Sequence, residues 1–271
     1  MELSPVARRA FAGLLKARTG QELSAGRHWR IETALKPLLK DREFPSLDSL
    51  AAGLANPADR NLAEAVVEAL LNHETFFFRD QAAFTQLMAG PIDALAAARA
   101  TRRRLSIWCA GCSSGQEAYS LAMAFAEQGD RWNGWTIDIF GTDISAGVIG
   151  RASEGSFTQF EIQRGLPIRQ MMRWFAPEGE NWRATPELRR MVRFDRHNLL
   201  DAPPVANVDL ILCRNVLLYF GAEERVRVFD GLAAAIASDG FLMLGAGETV
   251  LGSTIRFDPD FVHRGLYRPV A

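Results

Sequence analysis

A chain of 271 residues, with 31 Lys and Arg against 32 Asp and Glu and a formal net charge of −1, has room for one large domain or two smaller ones. Its near-neutral balance gives no electrostatic reason to bind nucleic acid or a membrane surface, and no apolar run reaches bilayer length. Three cysteines point to reduced thiols rather than a disulfide framework; Met1-Glu2-Leu3-Ser4-Pro5 lacks the basic start and apolar core of a secretory signal, so a cytoplasmic protein is expected.

From Ser4 to about Met88 the apolar spacing is helical. Phe11, Leu14 and Leu15 form one face, Ile31, Leu35, Leu38 and Leu39 a second, and Leu62, Val66, Leu70 and Leu71 a third. Breaks at Gly20, Phe44-Pro45-Ser46 and Asn56-Pro57 complete a small helical domain, placed at residues 1–88 with its linker. Its segment Arg27, Arg30, Lys36, Lys40 and Arg42 is basic, interrupted by Glu32 and Asp41, and reads either as a solvated helix face or as a docking face for an acidic partner. Then comes Asn72-His73-Glu74-Thr75-Phe76-Phe77-Phe78-Arg79-Asp80. Three adjacent phenylalanines cannot all point one way, so they pack on different neighbours and Arg79 emerges from an apolar wall.

A linker helix over 81–100 and Arg102-Arg103-Arg104 lead into an alternating strand and helix pattern. Leu105 to Ala110 is a short apolar strand, Gly111 to Gly115 a turn of small residues, and Gln116 to Gln128 a helix. Glycines 111 and 115 permit positive φ and let a ligand approach the backbone, beside the free N–H groups of a helix start. A second strand, Trp135 to Gly141, ends near Asp143, where a carboxylate can accept both ribose hydroxyls of a nucleoside. Together they predict an α/β domain over 89–271 with a parallel sheet. The pattern is interrupted at about 157–196 by an inserted hairpin or three-stranded flap around Pro177-Glu178-Gly179-Glu180. Strands resume at Val192 and Val208; Asn198 and Arg214-Asn215-Val216-Leu217-Leu218-Tyr219-Phe220 follow them on the ligand side. A helix around Val226 to Ile236, a strand at Gly240 and a last strand at Gly265 to Val270 close the chain.

No lysine follows the glycine turn, no Ser-His-Asp order is evident and no His and Cys sit at metal-ligand spacing, so no metal is expected. A nucleoside-bearing cofactor without a polyphosphate suits the turn best. On His73-Glu74-Thr75-Phe76-Phe77-Phe78-Arg79, on Trp108-Cys109-Ala110-Gly111-Cys112-Ser113-Ser114-Gly115-Gln116-Glu117-Ala118-Tyr119-Ser120, on Gly141-Thr142-Asp143-Ile144-Ser145 and on Cys213-Arg214-Asn215-Val216-Leu217-Leu218-Tyr219-Phe220, the chain resembles the CheR-type chemotaxis receptor glutamate O-methyltransferases along nearly its whole length.

The resemblance implies a class I S-adenosylmethionine-dependent methyltransferase (Rossmann-like) sheet with an N-terminal helical domain and an inserted antiparallel flap. It implies S-adenosylmethionine as cofactor, leaving S-adenosylhomocysteine, and contacts from His73, Thr75, Arg79, Gly111, Glu117, Asp143, Asn198, Leu199, Arg214 and Asn215. Arg79 and Tyr219 would be catalytic, Arg79 by positioning and Tyr219 by closing the pocket. Arg27, Arg30 and Lys36 would meet the cytoplasmic helical region of chemoreceptors, and the flap a receptor tail peptide. His73 stands where many relatives have asparagine, and Gln116 where many have glutamate. Rival readings are a thiol oxidoreductase or zinc site at Trp108-Cys109-Ala110-Gly111-Cys112, a dehydrogenase, a cofactor-binding adaptor, and a methyltransferase for another sensory protein.

Overall fold

The computed structural model describes residues 3–23, 29–55 and 60–270. The chain divides into two compact units: residues 1–72 with Tyr219–Glu224, and His73–Leu218 with Arg225–Ala271.

The first unit holds α1 (Pro5–Thr19), α2 (Trp29–Asp41), α3 (Leu47–Gly53) and α4 (Arg60–Leu70). Helix α1 starts on Ser4, whose hydroxyl accepts from the Ala7 N–H at 3.2 Å, with Pro5 in the first turn. Phe11, Leu15, Ile31, Leu35, Leu50, Leu62 and Val66 are all buried, as the helical spacing requires. Tyr219–Glu224 joins these helices through backbone pairing, since Gln21 bridges Phe220 and the Glu22 N–H donates to the Tyr219 carbonyl at 2.7 Å.

The second unit opens with α5 (Gln81–Ala89) and α6 (Pro91–Ala98), separated at Gly90-Pro91 where one linker helix was expected. The boundary at residue 88 is therefore displaced: the units part at Asn72 and His73, because Phe84, Leu87, Met88, Ile92 and Leu95 bury themselves in the core of the sheet. Then come β1 (Arg104–Ala110), α7 (Gln116–Ala126), β2 (Thr136–Asp143) and α8 (Ala146–Glu154). The flap consists of β3 (Ser156–Thr158), α9 (Gln159–Gln163), α10 (Ile168–Trp174), β4 (Phe175–Glu178), β5 (Asn181–Ala184) and α11 (Pro186–Met191). The chain returns through β6 (Val192–Arg196), β7 (Val208–Cys213), α12 (Ala222–Ala235), β8 (Ile236–Leu244), β9 (Phe257–Pro259) and β10 (Leu266–Pro269).

Two sheets result. The larger runs β6-β2-β1-β7-β8-β10-β9; β6 through β8 are parallel neighbours, and β10 is antiparallel to β8 and β9. The smaller is antiparallel, in the order β3-β5-β4. The strand from Val192 thus belongs to the main sheet, and β9 is an additional short edge strand. Parallel strands need crossovers and both faces covered, which explains why β7 reads as an unbroken apolar run apart from Asp209. The carboxyl ends of β2, β1, β7 and β8 lie side by side, with the loops after them on one edge. No helix among the described residues is long and apolar enough to cross a membrane.

Candidate active site

The turn after β1 is built from alternating left-handed residues. Gly111 (φ +78°) and Gly115 (φ +89°) adopt it readily, whereas Ser113 (φ +51°) does so at a steric cost for a non-glycine residue. Two bonds hold Ser113 there: its N–H donates to Asp143 Oδ2 at 2.9 Å, and its hydroxyl donates to the His73 carbonyl at 2.8 Å. The turn is tied to the end of β2 as well, because the N–H groups of Gly111 and Cys112 both donate to the Thr142 carbonyl. A Cβ on Gly111 would lie 3.0 Å from Val216 Cγ2, so the glycine also keeps open the approach to the loop after β7.

Asp143 sits at the end of β2 as expected. Its Oδ1 accepts from the Ser145 N–H at 3.1 Å and its Oδ2 from Ser113. The neighbouring strand end supplies His197, whose N–H donates to the Asp143 carbonyl at 2.9 Å, and Asn198, whose Oδ1 accepts from the Leu200 N–H at 3.1 Å. Leu199 between them is buried. The His197 ring lies 6.1 Å from Trp108; burial lowers its pKa from the ordinary histidine value, against the pull of Asp201 and Asp195.

Arg214 is the buried cation of the group. Its Nη1 donates to Glu117 Oε2 at 2.9 Å, and its Nη2 donates to Asp80 Oδ2 at 2.6 Å and to the Arg79 carbonyl at 3.0 Å. The arginine expected as a cofactor contact therefore directs most of its donors to the protein, fixing Glu117 on the first turn of α7. Burial pushes the Glu117 carboxyl up from its ordinary value, while Arg214, and less strongly Arg79, draw it back. Asn215 turns the chain with φ +60°.

The segment from His73 to Asp80 behaves as its composition demands. Phe77 is fully buried against Phe157 and Phe175 of the flap, Phe78 packs on Phe84, and Phe76 lies under Arg79 and Arg164. The Phe78 N–H donates to Ser120 Oγ at 2.9 Å, which anchors the segment to α7. Arg79 Nη1 donates to the Glu74 carbonyl at 3.2 Å, and its guanidinium stands 5.6 Å from the Phe76 ring. Thr75 is half-buried, and His73 takes part through its carbonyl.

In the first unit, Tyr219 and Arg30 meet through one residue: Arg30 Nη2 donates to Asn72 Oδ1 at 3.0 Å, and the Asn72 amide donates to the Tyr219 hydroxyl. Arg30, expected on an open docking face, is half-buried and engaged; Lys36 is exposed, and Arg27 lies outside the described residues.

At this edge three buried polar atoms have no partner among the described residues: Arg214 Nε, Asn215 Oδ1 and His197 Nε2. Unpaired buried groups are costly, and a polar ligand at the loops after β6 and β7 would satisfy them. The donor set includes acceptors for hydroxyls and an amide, and no polyphosphate-binding lysine, which fits an adenosyl group.

A family model described as "CheR methyltransferase, SAM binding domain" matches residues 73–264. The chain belongs to the CheR methyltransferase family. Similar to it are a chemotaxis protein methyltransferase of Vibrio parahaemolyticus, 32% identical over 92% of this chain and 91% of that one, and chemotaxis protein methyltransferase 1 of Pseudomonas aeruginosa, 32% identical over 89% of each. An uncharacterized 104.1 kDa protein of Rhodobacter capsulatus is 36% identical over 78% of this chain, which spans 22% of that protein's length. Membership makes S-adenosylmethionine the cofactor.

The thiol reading fails on physical grounds. Cys109 and Cys112 are buried, and burial raises both thiol pKa values well above the ordinary range, which leaves protonated, unreactive sulfurs.

Some members of the site carried little or no sequence signal. Ser113 looked like one more small turn residue, and only its left-handed backbone shows what it does. Glu248 was missed: it lies far along the chain, and the only trace of it is an acidic residue three positions after the glycine that follows β8.

Proposed function

We propose that this chain transfers a methyl group to glutamate side chains in the cytoplasmic helical region of chemoreceptors, forming methyl esters in sensory adaptation. S-adenosylmethionine, when bound, supplies an electrophilic methyl group on a sulfonium. An acceptor glutamate is already an anion at neutral pH, so the protein has no proton to remove and must supply alignment.

The observation that carries this reading is the difference between the two arginines. Arg214 is ion-paired with both Glu117 and Asp80, whereas Arg79, among the described residues, is bound only to a backbone carbonyl and an aromatic face. A planar guanidinium without a carboxylate partner is suited to orienting an acceptor carboxylate. Its grip must be moderate, because the anion disappears during transfer and a tight ion pair would stabilise the ground state. Asp143, the Gly111 turn, Asn198 with Leu199, Asn215, His73 and Thr75 would hold the cofactor, with Glu117 oriented by Arg214. Tyr219 is assigned the second catalytic part on the family resemblance.

Lys36, with Arg27, suits acidic receptor helices, and the exposed edges of the β3-β5-β4 flap suit a receptor tail peptide added as a further strand. Such a substrate places the protein in the cytoplasm.

The test is incubation with labelled S-adenosylmethionine and receptor-bearing membranes, scoring base-labile methyl ester. Arg79→Ala should lower turnover about a hundredfold while the fold is kept. Wild-type turnover in that variant removes Arg79 from the reaction, and label stable to base removes the glutamate ester.

A further inference from the structure

The loop after β7 carries Arg214 and Asn215, and one side chain from elsewhere determines where it stands. Glu248 Oε2 accepts from the Asn215 N–H at 2.7 Å and from the Gly245 N–H at 2.8 Å, and Oε1 accepts from the Leu217 N–H at 2.8 Å. The Glu248 N–H in turn donates to the Gly245 carbonyl at 2.9 Å. One carboxylate thus joins the end of β8 to the loop after β7 through three charge-assisted bonds.

Those bonds fall on either side of Val216, the residue that faces the Gly111 turn after β1. They also fix the left-handed turn at Asn215, which leaves Oδ1 buried and unpartnered. At the far end of the clamp the space is closed: a Cβ on Gly245 would come within 2.7 Å of both Asn215 Nδ2 and Glu248 Oε2 and within 2.9 Å of the Asn215 nitrogen. The adjoining strands are rigid and buried, so loop height depends on Glu248.

We infer that Glu248 is a positioning residue for methyl transfer, acting through Asn215 and Val216 to set the cofactor cradle against the turn after β1. This rests on the reading that Asn215 and the Gly111 turn hold S-adenosylmethionine.

Glutamine in place of Glu248 keeps the shape but has one acceptor oxygen, so at least one of the N–H groups at opposite ends of the clamp loses its partner. Glu248→Gln should bind S-adenosylhomocysteine about tenfold or more weakly by calorimetry, with faster hydrogen exchange confined to the amides of Asn215, Leu217 and Gly245. Gly245→Ala, which pushes Asn215 and Glu248 apart from the other side, should show the same pattern and serves if Glu248→Gln does not fold. Because Glu248 acts through Asn215, adding Asn215→Ala to Glu248→Gln should weaken binding no further than the worse single change.

Wild-type affinity in Glu248→Gln despite the faster exchange, or strictly additive losses in the double variant, overturns the inference. Wild-type affinity in Asn215→Ala instead overturns the cofactor reading on which it stands.

Discussion

The two ends of the central sheet each bury an arginine–carboxylate network, and the two are built in opposite senses. At the amino end the buried charge is the carboxylate of Asp209, which accepts from Arg99 Nε at 2.7 Å, from Arg102 and from the Ser106 N–H at 2.8 Å. Arg99 also pairs with Asp239. At the carboxyl end the buried charge is the guanidinium of Arg214, with Glu117 and Asp80 around it. The first network has its carboxylate filled by two cations and a backbone donor; the second leaves Arg214 Nε unpartnered, with Asn215 Oδ1 on the next residue and His197 Nε2 beside the same edge. The amino-end network is closed on itself, whereas the carboxyl-end one keeps buried polar atoms without a partner among the described residues.

Removing the centre of the closed network should have the largest effect on stability. Asp209→Ala leaves the Ser106 N–H at the start of β1 without its acceptor and takes a shared carboxylate from Arg99, which keeps Asp239, and from Arg102, and should cost about 1–3 kcal/mol, read by urea denaturation. A loss under about 1 kcal/mol would show the amino end to be no more structural than the other.

At the open end the effect should fall on binding. Asp143→Ala removes the carboxylate proposed to accept from ribose hydroxyls and should weaken S-adenosylhomocysteine binding about a hundredfold by calorimetry, with a smaller loss of stability from the freed Ser113 and Ser145 amides. Equal losses in stability and binding would erase the contrast between the two ends.

The smallest effect concerns pH. With a native pKa below the ordinary histidine value, His197 binds fewer protons folded than unfolded. Its contribution is complete above the unfolded value and is lost as pH falls through the native one. His197→Gln should therefore flatten the fall of the melting temperature between about pH 7 and about pH 5. An unchanged slope would place the acid sensitivity elsewhere.

Much of the carboxyl end was legible in advance. The strand, glycine turn and helix from Leu105 to Gln128, the acid at Asp143 and the three phenylalanines before Arg79 are local patterns, in which spacing and residue type already limit the geometry. The domain boundary was not, because the spacing in 81–98 reports an amphipathic helix and says nothing of which core receives its apolar face. Nor was the state of Arg30, whose hydrogen bond to Asn72 spans 42 positions. Asp209 reads in sequence as a flaw in an apolar strand, and its meaning depends on arginines more than a hundred residues away.

The sequence alone determined the alternation of strands and helices and, through short motifs contiguous in the chain, the resemblance to the family, since both are carried by residues that are neighbours in sequence. Which arginine is held by two carboxylates and which by none among the described residues, and that Glu248 is bonded to the loop after β7, only the tertiary structure decided. Charge neutralisation and hydrogen-bond saturation are properties of neighbours in space, and here the deciding neighbours are separated by tens of residues or more along the chain.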